Sequence, residues 1–181
     1  MLPPPPIDYI ADSAVDAALD LALRELLSAC FTKPQDHVFK TRRYFNEPPA
    51  HRWLIRDATG TPVAHLAAHE KQLFTDDGRT LRIGGIAEVC VRPDHQGRGY
   101  VKPLIAAAHR RMGAGGFAFS VLSGNERYYA SSGYRPVNNL LRDGVGPAGE
   151  AVRIRAEGFL AAPLSDTVWP HGDVYIPGPS F

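Results

Sequence analysis

The stretch Glu88-Val89-Cys90-Val91-Arg92-Pro93-Asp94-His95-Gln96-Gly97-Arg98-Gly99-Tyr100-Val101-Lys102-Pro103-Leu104-Ile105 decides the fold. It opens as a strand, with Val89 and Val91 on one face and β-branched residues dominating. Pro93 and Asp94 break it, since proline has no N–H to give a ladder. Two glycines follow, Gly97 and Gly99, and then Val101, Leu104, Ile105, Ala108 and Met112 recur at helical spacing. A strand therefore runs through a glycine turn into a helix N-terminus. Unpaired amide donors and the positive end of the helix dipole converge at such a junction, which favours a phosphate. Arg98 and Lys102 add positive charge, either as phosphate contacts or as solvated charges at a helix start. The stretch reads as an anion cradle.

Two common cradles are excluded or weakened by the residues themselves. No Gly-Lys-Ser/Thr follows the glycines, so this is not a Walker loop. A dinucleotide fingerprint would place its first glycine at the strand end, whereas Arg92 to Gln96 intervene here. The pattern Gln96-Gly97-Arg98-Gly99-Tyr100-Val101, preceded by Val91-Arg92-Pro93-Asp94, instead resembles the acyl-CoA motif Gln/Arg-x-x-Gly-x-Gly/Ala of the GCN5-related N-acetyltransferases (GNATs). It departs from that motif at Val101, where the family usually has Gly or Ala. A second resemblance follows in order: Asn125-Glu126-Arg127-Tyr128-Tyr129-Ala130-Ser131-Ser132-Gly133-Tyr134 is similar to the family's Asn…(Phe/Tyr)-Tyr-x-x-x-Gly-(Phe/Tyr).

The chain has 181 residues, enough for one α/β-sized domain that buries roughly 70% of its unfolded surface. Residues 1–181 are expected to form a single acyltransferase domain, led by an extended proline-rich arm over residues 1–9. Lys plus Arg number 20 against 19 Asp plus Glu, a formal charge of +1, which argues against a nucleic-acid or membrane-surface partner. Cys30 and Cys90 have no metal or disulfide spacing and are expected to be reduced. No apolar run reaches membrane-spanning length and no signal-peptide pattern opens the chain, so a cytoplasmic enzyme is expected.

Around the central stretch the elements fall in a consistent order. Asp12 or Ser13 is the expected cap of a first helix carrying Val15, Ala18, Leu19, Ala22, Leu23, Leu26 and Leu27 on one stripe and ending at Pro34. Residues 32–49 read as an aromatic and basic loop. Trp53–Arg56 and Pro62–His69 flank a turn at Asp57-Ala58-Thr59-Gly60, and a second turn at Asp76-Asp77-Gly78 leads to the central strand. His65 and His69 share a face but lack a third metal ligand, so a satisfied or solvent-facing pair is expected. Phe117–Leu122 is a buried strand parallel to the central one, and Ala161–Leu164 reads as a last strand. The fold class is α+β (α/β), a mixed central sheet flanked by helices, and the resemblance implies the GNAT fold with splayed parallel strands.

The resemblance also implies a site. Acetyl-CoA would be the co-substrate, with no metal. Its pantetheine arm would pair with the backbone of Val89, Cys90 and Val91. Its pyrophosphate would lie on the amides of Gly97, Arg98, Gly99, Tyr100 and Val101, with Gln96 as a side-chain contact. Asn125 would contact the cofactor or cap the short helix, and Tyr129 would act as acid or hydrogen-bond donor toward the departing thiolate. An amine with pKa about 10 is neutral only about 0.1% of the time at pH 7, a deficit of roughly 4 kcal/mol, so a carboxylate base is needed. Glu88 is the candidate; alternation places it opposite Val89 and Val91, and a bulge would re-aim it. Glu70 and Asp94 are lesser candidates. Cys90 beside the thioester lacks an activating histidine and is not read as a nucleophile.

The expected reaction is direct attack of a small-molecule primary amine on the thioester. A longer-chain acyl-CoA or acyl-carrier N-acyltransferase and a non-catalytic CoA-binding sensor are the alternatives, and a homodimer is a further expectation from the family. Patches at Gly60–Leu66, Tyr129–Tyr134 and Trp169–Val174 look like the branch of aminoglycoside 2′-N-acetyltransferases and nodulation acyltransferases.

Overall fold

The computed structural model describes residues 5–181; Met1 to Pro4, with half of the Pro3–Pro6 run, lie outside the described residues. The chain resolves into two compact units, residues 1–69 with 86–108, and residues 70–85 with 109–181. Two strands and one helix run from one unit into the other.

In the first unit, strands β1 (Asp8–Ala11), β2 (His51–Arg56) and β3 (Pro62–Thr75) pair antiparallel. The register sets Tyr9 opposite Trp53, and Trp53 opposite Leu66. The arm expected over residues 1–9 thus gives way to a strand already at Asp8, because the edge of β2 offers its backbone partners. Helix α1 (Ala17–Cys30) is capped four residues later than Asp12, by Asp16, which accepts from the Leu19 amide at 2.8 Å, so Val15 of the expected stripe lies before the helix. Asp12 is buried and serves arginines instead. The apolar stripe does bury Leu23, Leu26 and Leu27, each worth roughly 1.5–3 kcal/mol relative to exposure. Leu26 and Leu27 form a cluster with Phe39 and Cys90. Phe39 comes from a 3-10 helix at Pro34–Lys40, inside the segment read as loop. Asp36 caps that turn by accepting from the Lys33 amide at 3.0 Å, a local bond invisible to periodicity.

Strand β4 (Thr80–Val91) and helix α2 (Val101–Ala114) carry the decisive stretch. Between them stands a single 3-10 turn, Pro93–His95. Leu104, Ile105 and Ala108 are buried on α2, as their spacing predicts.

In the second unit, β5 (Phe119–Ser123) lies parallel to β4, Ile83 opposite Phe119 and Gly85 opposite Val121. The ladder covers three positions, and Leu122 and Ser123 pair only with β9. Close approach explains the glycine pair inside β4: a Cβ at Gly84 would meet Met112 Sδ at 2.2 Å, and one at Gly85 would meet the Phe181 ring at 2.5 Å. After α3 (Glu126–Tyr129) the chain adds β6 (Arg135–Pro136), β7 (Leu140–Val145), β8 (Ala151–Arg155), β9 (Phe159–Pro163) and β10 (Val174–Ile176). The strand order is β6-β9-β5-β4-β3-β10-β7-β8. The last strand is therefore β10 and not Ala161–Leu164, and β7–β8 is a hairpin that alternation had not revealed. It carries Arg142, Asp143, Arg153 and Arg155 among few apolar residues, so its hydrophobic signal is weak. Trp169–Val174 has a structural task. Asn139 Nδ2 donates to the carbonyls of Pro170 (2.8 Å) and Gly172 (2.6 Å), and its Oδ1 accepts from Trp169 Nε1 at 2.9 Å. These bonds dock the tail so that β10 pairs parallel to β7.

Candidate functional site

The junction between β4 and α2 has the expected character. Gly97 and Gly99 take the left-handed conformation, φ 76° and 75°, which only glycine adopts freely. Among the described residues, a Cβ at either position would meet nothing within 4 Å, so the space beside each glycine is open. Among the described residues, the amides of Gly99, Tyr100 and Val101 donate to no backbone carbonyl. They are free to cradle an anion at the first turn of a 14-residue helix. Pro103 sits in that first turn, where a missing N–H costs little. The Arg98 guanidinium turns back to the Asp94 carbonyl (3.3 Å), and Gln96 Nε2 reaches the Val91 carbonyl at 3.4 Å. Val101 is half-buried and does not interrupt the helix.

Glu88 lies nine residues before Gly97 in sequence and is the one non-glycine residue at positive φ among the described residues, at 52°. The bulge that would re-aim it is thus a left-handed kink at Glu88 itself. Its side chain is 6% exposed. Oε1 accepts from the Phe45 amide at 2.9 Å. Oε2 is buried and has no hydrogen-bond partner among the described residues; Arg52 Nη1 stands 3.6 Å away, an ion-pair distance but too long for a hydrogen bond. Burial drives the Glu88 pKa up to about 7, against the pull of Arg52 and the Phe45 amide. A buried carboxylate with a free lone pair and a pKa near neutrality is what a general base requires.

Sequence reasoning missed the residues that surround it. Arg52 is fully buried, its Nε 2.6 Å from Asp12 Oδ1 and its Nη2 donating to the Arg43 carbonyl at 2.8 Å. Arg43 grips the same aspartate through Nε (2.9 Å) and Nη2 (2.8 Å). Burial alone would raise the Asp12 pKa, but the two arginines outweigh it and hold the carboxyl below its usual range. His65 is buried and satisfied rather than solvent-facing, with Nε2 2.9 Å from Arg52 Nη1 and Nδ1 2.9 Å from the Glu88 carbonyl. Burial, with Arg52 beside it, pushes its pKa down to about 3. His69 is also buried, its Nδ1 3.7 Å from Glu47. The one available signal was an arginine, Arg52, directly before the apolar run Trp53-Leu54-Ile55 on the same strand; a charge buried there needs a partner.

The lesser base candidates are committed elsewhere. Glu70 pairs with Arg82 at 2.7 Å, and Asp94 pairs with Arg92 at 2.7 Å and His95 at 2.9 Å, both on exposed side chains. Cys90 is buried with its thiol pKa raised well above normal, first by the hydrogen bond with Cys30 and then by burial, which agrees with a passive role.

Tyr129 and Asn125 belong to the second unit. Asn125 caps α3, its Oδ1 accepting from the Arg127 amide at 2.9 Å. Tyr128 points out, 71% exposed, while Tyr129 is half-buried with its ring edge-on to Tyr134, centroids 5.9 Å apart. Burial raises the Tyr129 pKa. Its hydroxyl makes no hydrogen bond among the described residues, in contrast to Tyr134, whose hydroxyl is shared with Ser120 (2.6 Å) and His109 (3.0 Å). Gly133 ends the segment at φ 90°, the left-handed turn the motif predicts. No cluster of three metal-ligating side chains occurs among the described residues, and no helix of the described residues is long and apolar enough to cross a membrane.

Comparison with solved structures places the fold among acetyltransferases. A GNAT family N-acetyltransferase (YhbS) from Escherichia coli in complex with CoA superposes with a TM-score of 0.67 at 16% identity, covering 98% of this chain and 92% of that one. A GNAT family acetyltransferase from Brucella melitensis in complex with acetyl-CoA gives 0.60 at 15% identity, covering 93% and 94%. The ribosomal-protein-S18-alanine N-acetyltransferase from Escherichia coli gives 0.55 at 14% identity, covering 90% and 97%. No curated protein matches the sequence. The family model described as an acetyltransferase (GNAT) domain matches residues 9–137, a span that holds both the glycine cradle and the Tyr129 segment, and the chain therefore belongs to the GNAT acetyltransferase family.

Proposed function

We propose that this chain is an acetyl-CoA-dependent N-acetyltransferase acting on a primary amine of a small molecule, with residues 1–181 working as one catalytic domain. The observation that carries the reading is Glu88, a buried carboxylate with a pKa of about 7 and an oxygen that has no hydrogen-bond partner among the described residues, on the strand that leads into the glycine turn. At neutral pH about half of such a group is ionised and able to take a proton from an ammonium. The neutral amine then attacks the acetyl carbonyl, the C–N bond forms as the C–S bond breaks, and the thiolate departs.

Each remaining residue has a defined task in this proposal. The amides of Gly97, Arg98, Gly99, Tyr100 and Val101 hold the pyrophosphate, with Gln96 beside it, and the backbone of Val89, Cys90 and Val91 binds the pantetheine arm by strand-like addition. Tyr129, whose hydroxyl has no hydrogen-bond partner among the described residues, gives the thiolate a hydrogen bond. Asn125 acts through its cap on α3. The two relatives solved with CoA or acetyl-CoA support the choice of acyl donor. The sequence patches shared in appearance with the aminoglycoside and nodulation branch make amino sugars the first acceptors to try.

The test is release of free CoA from acetyl-CoA across polyamines, aminoglycosides, amino sugars and peptides, with calorimetry of CoA binding alongside. Turnover with at least one amine is expected, falling about a hundredfold or more in Glu88→Gln. Failure of both CoA and acetyl-CoA to bind refutes the function, and full activity in Glu88→Gln refutes the base.

A further inference from the structure

We propose that Arg52 and His65 are positioning residues for Glu88: Arg52, locked by Asp12, supplies a fixed positive charge that keeps the carboxylate ionisable inside the protein, and His65 clamps the backbone that aims it. The inference deepens the assignment of Glu88 as base and rests on it for its catalytic consequence.

The geometry of Arg52 is unusual for an ion pair. All three guanidinium nitrogens are committed, Nε to Asp12, Nη2 to the Arg43 carbonyl and Nη1 to His65 Nε2. The group therefore cannot swing to close the 3.6 Å gap to Glu88 Oε2. Charge attraction survives at that distance in a poorly screened interior, while the lone pair stays open for an incoming proton. Had Arg52 formed a full forked pair with Glu88, the carboxylate would be held far down in pKa and would lose its proton affinity at neutral pH.

His65 completes the arrangement through its tautomer. Arg52 has only donors, so His65 Nε2 must accept and the ring proton sits on Nδ1, which then donates to the Glu88 carbonyl at 2.9 Å. With its pKa pushed down to about 3, the ring stays neutral across the working range and the clamp does not change with pH. A left-handed backbone strains a non-glycine residue, and the clamp sits on the carbonyl of the residue that bears this strain. Among the described residues, the groups that face Glu88 are Arg52 from β2, Asp12 from the turn after β1, His65 from β3, the Phe45 amide, and the neutral Cys90 thiol on its own strand. Asp12 opposes ionisation of Glu88, whereas Arg52 and the Phe45 amide favour it. Arg43 remains paired with Asp12 when Arg52 is removed.

The experiment is a carbon-13 NMR titration of the Glu88 carboxyl, assigned by its loss in Glu88→Gln, beside the pH profile of kcat/KM. Wild type should titrate near pH 7. Arg52→Met should move the Glu88 midpoint up by about one pH unit or more, a roughly fivefold or greater loss of ionised base at pH 7, with the acid limb of kcat/KM following and activity recovering at high pH. Asp12→Asn, which keeps Arg52 but frees it to reach Glu88, should move the midpoint down. His65→Ala should lower the plateau with no recovery at high pH, and His65→Asn, which retains a donor near the Nδ1 position, should restore most of it. A Glu88 midpoint that stays put in either Arg52→Met or Asp12→Asn overturns the role of the fixed charge, and a His65→Ala plateau equal to wild type overturns the clamp. Midpoints that shift as expected in a protein whose Glu88→Gln variant is fully active would uphold the charge arrangement and reject only the base.

Discussion

Glu88→Gln offers a stability test that needs no substrate. The carboxyl titrates at 4.5 in the ordinary unfolded environment and at about 7 in the folded protein, because burial disfavours its charge. A raised acid binds its proton more tightly when folded. Its contribution is thus most favourable below pH 4.5, declines as pH rises through the window from 4.5 to 7, and is constant above. At about 1.4 kcal/mol per pH unit the full decline is roughly 3 kcal/mol. Glutamine keeps the shape and an acceptor for the Phe45 amide but cannot ionise. Relative to wild type, Glu88→Gln should therefore gain about 3 kcal/mol between pH 4.5 and pH 8. Urea denaturation followed by circular dichroism at pH 4.5, 5.5, 6.5 and 8 reads the difference, and thermal melts should separate by about 6–12 °C more at pH 8 than at pH 4.5. A difference that is flat with pH, or one that shrinks as pH rises, would refute the account of a buried carboxylate ionising against its surroundings.

Three further outcomes follow from local geometry. Gly99→Ala should lose about 1–2 kcal/mol of stability from its left-handed backbone alone, since the new Cβ has no neighbour within 4 Å among the described residues; the accompanying loss of CoA affinity by calorimetry should exceed tenfold, and unaltered affinity would remove Gly99 from the cradle. Tyr129→Phe should lower kcat about tenfold with little change in the KM for acetyl-CoA, and an unchanged kcat would make the hydroxyl dispensable. Cys30, half-exposed with its thiol pKa lowered by the hydrogen bond from Cys90, should react with iodoacetamide well ahead of the buried Cys90 by peptide mapping, and the reverse order would contradict the pairing.

Much of the site was readable because it is built from consecutive residues. The strand, the glycine turn and the helix start at Glu88–Ile105 are specified by short-range chemistry: Pro93 stops a ladder, Gly97 and Gly99 adopt φ values barred to other residues, and Leu104, Ile105 and Ala108 repeat at the helical period. Asn125 and Gly133 frame the Tyr129 segment by the same local rules. The hairpin β2–β3 and the buried run of β5 were legible for the same reason. The β7–β8 hairpin and β10 were not, because their exposed arginines and short lengths leave little periodicity, and the tail that carries β10 is held by Asn139 from thirty residues away.

By itself, then, the sequence determined where left-handed glycines and unpaired amides would stand at a helix start, since both depend on neighbours a few positions apart. It could name Glu88 as an acid on the central strand, but it could not say how Glu88 behaves. That was decided by tertiary structure, which brings Asp12, Phe45, Arg52 and His65 around one carboxylate from four separate parts of the chain. Proton affinity is a property of the dielectric and the charges within a few ångströms, and no local pattern of residues encodes which distant groups will fill that space.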